Sequence, residues 1–188
     1  MSSFLGHAPV LDFDGTIVRL PVDWSFLRRR LGVLRINDLW TLGRPDAFSL
    51  VTEMEVEAAN VGEPVDVVMN ELESATSFAV LTNNSALAVR KFFSRFPDFE
   101  RRLVCVIGRD ELGGPKTDLQ YFTPGLRQCL EATKTARADG PAVYVGDSAY
   151  ELVFARGAGM TAFDVADLTS GRADGACGDT YGGTTVRS

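Results

Sequence analysis

Ala8-Pro9-Val10-Leu11-Asp12-Phe13-Asp14-Gly15-Thr16 decides how the rest of the chain is read. Its first half is short and apolar, as a buried strand is, and it breaks into an Asp-Gly turn. The pattern recurs. Phe78-Ala79-Val80-Leu81 runs into Thr82-Asn83-Asn84-Ser85, and Leu103-Val104-Cys105-Val106-Ile107 is a third apolar run. Ala142-Val143-Tyr144-Val145 leads to Gly146-Asp147-Ser148, and Met160 to Val165 makes a fifth strand. Helical spacings lie between them: Val89, Phe92, Phe93 and Phe96, closed by Pro97; a helix beginning near Pro124 with Leu126, Cys129 and Leu130; and Tyr150 to Ala158. Short strands, apolar on both faces and alternating with helices, predict an α/β fold, a Rossmann-like parallel sheet with helices on both faces.

One stretch breaks the alternation. From Arg19 to Ser77 no strand is evident. Trp24, Leu27 and Leu31 repeat at helical spacing, with Asp23 as N-cap and Gly32 as stop. Ala47, Val51, Met54 and Ala58 form a second helical stripe ended by Gly62. Pro64 suits the first turn of a third helix carrying Val65, Val68, Met69 and Leu72. The organisation expected is an α/β core from 1–18 and 78–168, a small α-helical insert over 19–77 after the first strand, and a Gly/Thr-rich tail over 169–188.

The 188 residues, 45% hydrophobic and 23% charged, have ordinary globular composition, which excludes disorder, collagen and coiled coil for the whole chain. A net charge of −6 leaves no basic footprint for nucleic acid, so an anionic substrate must be met by local positive groups or a metal. No apolar run approaches the ~20 residues that span a bilayer, and the N-terminus lacks a signal-peptide pattern. Cys105, Cys129 and Cys177 are odd in number and far apart, which reads as reduced thiols in a cytoplasmic protein. His7 is the only histidine, and nothing supports a catalytic triad around it.

In an open parallel sheet, sites form beyond the carboxyl ends of the strands, and polar residues follow the strands here. Asp12 and Asp14, two apart, lean to the same side and repel unless a cation or proton intervenes. That suits a nucleophile beside a general acid, although a plain Asp-Gly turn has the same letters. Gly15 would let a backbone N–H approach a phosphate oxygen. Thr82 and Asn83 offer hydrogen-bond donors to phosphoryl oxygens, or an N-cap. Lys116, after Gly113-Gly114-Pro115, offers a point charge on a fixed loop, or only a solvated side chain. Asp147 and Glu151 are hard oxygen ligands of the kind Mg²⁺ takes, or a capping pair.

In this order the pieces resemble the haloacid dehalogenase-like (HAD) hydrolase superfamily over residues 8–165. Asp12-Phe13-Asp14-Gly15-Thr16 is similar to its DxDGT motif, Leu81-Thr82-Asn83 to the second and Lys116 to the third. Gly146-Asp147-Ser148 with Glu151 resembles the fourth. The resemblance implies a Mg²⁺-dependent phosphatase with Asp12 as nucleophile and Asp14 as acid and base. Thr82, Asn83 and Lys116 would hold the phosphoryl group, and Asp12, the Asp14 carbonyl and Asp147 would bind Mg²⁺ with support from Glu151. The insert resembles the small helical cap of the phosphoglycolate phosphatase-like branch, which implies a small phosphorylated metabolite such as phosphoglycolate. Arg19, Arg28, Arg29, Arg30, Arg35 and Arg44 are available there for a second anionic group. Lys116-Thr117 replaces the branch's usual Lys-Pro, and Glu151 stands where Asp is commoner. The alternatives are a phosphotransferase or phosphomutase on the same scaffold, a haloacid dehalogenase, and a non-catalytic binding domain. Oligomeric state is not legible.

Overall fold

The apolar runs pair as a five-stranded, all-parallel sheet in a computed structural model that describes residues 8–137 and 141–170. In chain order the elements are β1 (Val10–Leu11), β2 (Val18–Arg19), α1 (Trp24–Leu31), α2 (Asp38–Thr41), a 3-10 turn (Pro45–Ala47), α3 (Phe48–Ala59), β3 (Glu63–Pro64) and α4 (Asp66–Leu72). There follow β4 (Phe78–Leu81), α5 (Ala86–Phe93), α6 (Pro97–Arg102), β5 (Leu103–Ile107), α7 (Arg109–Leu112), α8 (Leu119–Arg137), β6 (Val143–Gly146), α9 (Ala149–Gly157), β7 (Thr161–Asp164) and α10 (Val165–Thr169). His7, Cys177 and the tail beyond Ser170 lie outside the described residues.

The strand order is β5-β4-β1-β6-β7. The chain builds outward from β1 through β4 and β5, then returns to β1's other side for β6 and β7. The order therefore reverses at β1, where the crevice beyond the carboxyl ends opens. Val10 and Leu11 pair with Ala79 and Val80 on one side and with Tyr144 and Val145 on the other. Because strand side chains alternate, these residues divide into two layers. Leu11, Val80 and Val145 pack with Phe92 and Phe93 of α5 and Val68 of α4. Val10, Ala79, Leu81 and Tyr144 pack with Phe122, Leu126 and Cys129 of α8 and Leu152 of α9.

The inserted stretch is divided in its packing. Leu27, Leu31, Leu39, Phe48 and Val51 form a third cluster of their own. Ala58 and Ala59 at the end of α3, and all of α4's apolar face, join the first sheet layer instead. Asp23 caps α1 by accepting from the Phe26 N–H at 2.8 Å, and Gly32 closes it at φ +69°.

Four local expectations are corrected. β2 and β3 pair antiparallel, Val18 with Pro64 and Arg19 with Glu63, so Pro64 ends a ribbon strand and α4 starts after it. Strands of two residues carry no periodicity to read. The previous helix ends at Phe93, short of Phe96, and Pro97 opens α6 instead of closing that helix. Pro124 lies inside α8, which starts at Leu119, with the Asp118 carboxylate accepting from the Gln120 N–H. Val165 begins α10, because the Asp164 carboxylate caps the Ala166 N–H at 2.8 Å.

Candidate active site

The site is assembled at the carboxyl ends of β1, β4 and β6, adjacent strands whose next residues are Asp12, Thr82 and Asp147. A cavity of about 350 Å³ lies over them, lined by Asp12, Asp14, Thr82, Asn83, Asp147 and Glu151 among others.

Asp12 is buried, and its Oδ1 accepts from the Phe13 N–H and the Lys116 ammonium, both at 2.7 Å. Its Oδ2 takes no hydrogen bond among the described residues, while the residue faces the cavity. Lys116 is 1% exposed. Its Nζ sits on Asp12 Oδ1, on Glu151 Oε2 at 2.8 Å and on the Leu81 carbonyl at 3.1 Å. Burial works against its charge, but the Asp12 and Glu151 carboxylates outweigh burial and hold its pKa above the usual lysine value.

Glu151 has partners other than a metal. Its Oε2 accepts from Lys116 and from the buried Tyr144 hydroxyl at 2.7 Å. The carboxyl is pushed up to about 7, chiefly by burial, with Asp12 adding to it and Lys116 opposing. Through Oε2 the Glu151 carboxylate, expected to support the metal, also fixes Lys116. Tyr144, read from sequence only as a strand residue, is the unexpected third member.

Asp14 Oδ1 accepts from the Leu20 N–H at 3.0 Å. Burial, followed by the charges of Asp12, Asp147 and Glu55, pushes its carboxyl up to about 6, against the Leu20 bond. Asp147 is also raised, by burial and then by Asp12. The Asp12 charge raises both of the other carboxyls and Asp147 adds to the rise at Asp14, a negative charge set whose hard oxygens suit a Mg²⁺ ion. Among the described residues no group of three or more His, Cys, Asp or Glu side chains is gathered closely enough to hold a metal ion by itself. The donor set is the open kind that Mg²⁺ occupies with one or two carboxylates and its own waters.

Asp14→Asn tests this balance without substrate. A raised carboxyl burdens the fold once ionised, so metal-free protein loses stability as pH climbs from about 4 through 6. The asparagine keeps an acceptor for Leu20 and cannot ionise. In EDTA the variant is expected to be more stable than wild type by about 2 kcal/mol near pH 8 and equal to it near pH 4, read from urea midpoints.

Gly15 does not present a free donor, contrary to expectation. Its N–H donates to the Val18 carbonyl at 2.8 Å. Its function is steric: φ is +84°, and a Cβ there would overlap the Asp147 carboxylate. Thr82 is likewise committed, its hydroxyl donating to Asn84 Oδ1 at 3.0 Å and accepting from the Asn84 N–H at 3.2 Å. The free donors belong to Asn83. Its Oδ1 accepts from the Lys116 N–H at 2.7 Å, while its own N–H and amide nitrogen have no protein acceptor among the described residues.

Of the six arginines expected as anion contacts, Arg35 lines the cavity. Arg44 instead donates to the Leu31 carbonyl, and Arg28 to the Ser25 hydroxyl. Glu55, Asn84 and Arg109, also in the cavity wall, were not anticipated. Glu55 had a signal: it is a charge within the apolar stripe of Val51 and Ala58. Arg109 stands two residues after β5, ahead of Lys116 in the same strand-end segment.

Solved structures reproduce this architecture. A protein from Lactobacillus plantarum described as a candidate phosphoglycolate phosphatase is 17% identical, with 93% of this chain and 91% of that one covered and a TM-score of 0.62. The fold is that of haloacid dehalogenase-like hydrolases. A HAD-superfamily hydrolase of subfamily IA from Geobacter sulfurreducens (19% identity, 84% and 88% covered, TM-score 0.54) shares it. So does a HAD phosphatase from Thermococcus onnurineus (22% identity, 83% and 84% covered, TM-score 0.50). No family model and no curated protein sequence matches the chain. In this HAD-like fold the cavity over Asp12 lies at the switch point of the sheet. Among the described residues no helix is long and apolar enough to cross a membrane.

Proposed function

We propose that the chain is a Mg²⁺-dependent phosphatase of small phosphate monoesters, phosphoglycolate or a related metabolite, acting through an aspartyl phosphate on Asp12. The observation that carries this is the asymmetry of the Asp12 carboxylate. Lys116 and the Phe13 N–H hold Oδ1, which leaves Oδ2 uncommitted at the cavity beside Asp14. A fixed carboxylate with one free oxygen is a nucleophile presented at a set angle.

In the first half-reaction Oδ2 attacks phosphorus, the bond to the ester oxygen breaks, and Asp14 gives its proton to the leaving alkoxide. A carboxyl with a pKa of about 6 is still partly protonated near neutrality, as that step requires. In the second, water attacks the same phosphorus, Asp14 takes its proton, and phosphate leaves as the Asp12 carboxylate re-forms. Asn83 supplies its N–H and amide to the phosphoryl oxygens, and Lys116 neutralises the charge shared between Asp12 and the phosphoryl group. Asp12, Asp147 and the Asp14 carbonyl would hold Mg²⁺, which when bound neutralises charge on the phosphoryl oxygens.

The haloacid dehalogenase alternative needs a nucleophile but neither an alkoxide acid nor a metal, so Asp14 and Asp147 favour phosphate chemistry. The small helices α1 and α2 with the first part of α3 are the cap in this reading, and Arg35 on the cavity wall is the group placed to meet a substrate carboxylate. The protein would work in the cytoplasm. Phosphate release from p-nitrophenyl phosphate, with Mg²⁺ and after EDTA, is the test. Release is expected with Mg²⁺, lost in EDTA and restored by added Mg²⁺. Release unaffected by EDTA would overturn the metal assignment, and none with Mg²⁺ across simple and natural esters would overturn the phosphatase reading.

A further inference from the structure

Phe48, Thr52 and Glu55 lie on one face of α3, and all three hold Arg109, which begins α7 more than fifty residues away. The Arg109 guanidinium stacks over the Phe48 ring at 4.8 Å. Its Nη2 donates to Thr52 Oγ1 at 2.9 Å and to Glu55 Oε2 at 3.0 Å, and its Nη1 donates to Glu55 Oε1 at 3.0 Å. Glu55 and Arg109 are 1% and 3% exposed, so this is a buried, bidentate ion pair.

The pair also reaches the turn after β4. Glu55 Oε1 accepts from Asn84 Nδ2, and Oε2 from the Ser85 N–H, both at 3.0 Å. Arg109 Nη1 donates to the Asn83 carbonyl at 3.0 Å, and the Arg109 N–H donates to the Asn84 carbonyl at 2.8 Å. Asn84 Oδ1 in turn accepts from the Thr82 hydroxyl. Glu55 thus governs how Asn84 is turned, Asn84 how Thr82 is turned, and Arg109 how the Asn83 peptide is turned. A helix pair needing only adhesion would be served by apolar side chains; four donors aimed at one carboxylate serve a geometry.

We propose that Glu55 is a positioning residue: from an inserted helix it sets the Thr82-Asn83-Asn84 turn whose free donors receive the phosphoryl group. Each oxygen of Glu55 faces two donors, so a glutamine in either orientation places its NH₂ against an N–H. Shape alone cannot replace the charge. The kinetic consequence rests on the phosphatase reading; the geometric one does not.

The test compares wild type, Glu55→Gln and the apolar pair Glu55→Met with Arg109→Met, by thermal melting, by turnover of p-nitrophenyl phosphate with Mg²⁺, and by ¹⁵N NMR of the Asn84 side-chain amide. Glu55→Gln is expected to lower kcat roughly 10- to 100-fold, with KM within about threefold, because the donors are misaimed where charge develops. The Asn84 amide, buried and bonded to Glu55, is expected to exchange slowly in wild type and fast in the variant. The apolar pair removes the unpaired buried charge and regains part of the melting temperature lost in Glu55→Gln, the Asn84 amide and Ser85 N–H still lacking their acceptor. It regains neither kcat nor the protected Asn84 amide. A kcat that returns together with melting temperature in the apolar pair overturns the proposal, as does a Glu55→Gln variant with wild-type kcat and a protected Asn84 amide. If wild type itself releases no phosphate, the phosphatase reading fails, and the Asn84 amide alone then decides whether Glu55 positions the turn.

Discussion

Asp12→Asn is expected to abolish phosphate release, by on the order of 10³-fold or more, while leaving the fold intact. The two expectations come from different atoms. An asparagine Oδ1 still accepts from the Phe13 N–H and the Lys116 ammonium, the two bonds that hold residue 12 in place. What changes is the second position: the uncommitted Oδ2 becomes an amide nitrogen, which cannot attack phosphorus. Phosphate release and a thermal melt, measured on one preparation, separate the two effects. A wild-type melt with no turnover supports Asp12 as nucleophile. Turnover above a hundredth of wild type, with the asparagine confirmed by mass spectrometry, would sink that assignment.

Lys116→Met is expected to damage both activity and stability. The ammonium is the one cation bonded to Asp12 and Glu151 among the described residues, and methionine fills its volume without its charge. Two buried carboxylates are left facing each other, and breaking a buried pair of this kind costs about 3–5 kcal/mol. Phosphate release should fall on the order of 10²- to 10³-fold, since a charge that opposes the developing phosphoryl charge is gone. The sign with pH is also set. The uncompensated carboxyls take up protons as pH falls, so the stability deficit shrinks in acid and is largest near neutrality. Urea midpoints across that range, beside turnover at neutral pH, check both. A variant as stable as wild type near pH 7 would show that Lys116 does not carry the charge balance assigned to it.

The parts of this site differ in how far the linear sequence discloses them. Asp12, Asp14, Thr82, Asn83 and Asp147 all stand just beyond the end of a strand that is apolar on both faces. Such strands are visible without a structure, because only a sheet covered by helices on both sides tolerates them. Lys116 was visible as a lysine in a Gly-Gly-Pro loop, but its burial was not, since nothing local distinguishes an inward lysine from a solvated one. For Gly15 and Thr82 the letters pointed to phosphate donors, whereas the Val18 carbonyl and Asn84 take those hydrogens. A residue type lists what a group can donate; the fold decides to whom.

By itself the sequence determined the α/β alternation, the place of the crevice and the acidic set along its edge, because period, strand composition and turn chemistry are local properties. Only the tertiary structure decided that Glu151 turns inward to Lys116 and Tyr144, that the inserted stretch splits between its own core and the sheet, and that Glu55 meets Arg109. Those outcomes depend on pairs far apart in the chain, 54 residues for Glu55 and Arg109. The energy of a buried charge is set by which partner reaches it, and no spacing along the chain records that.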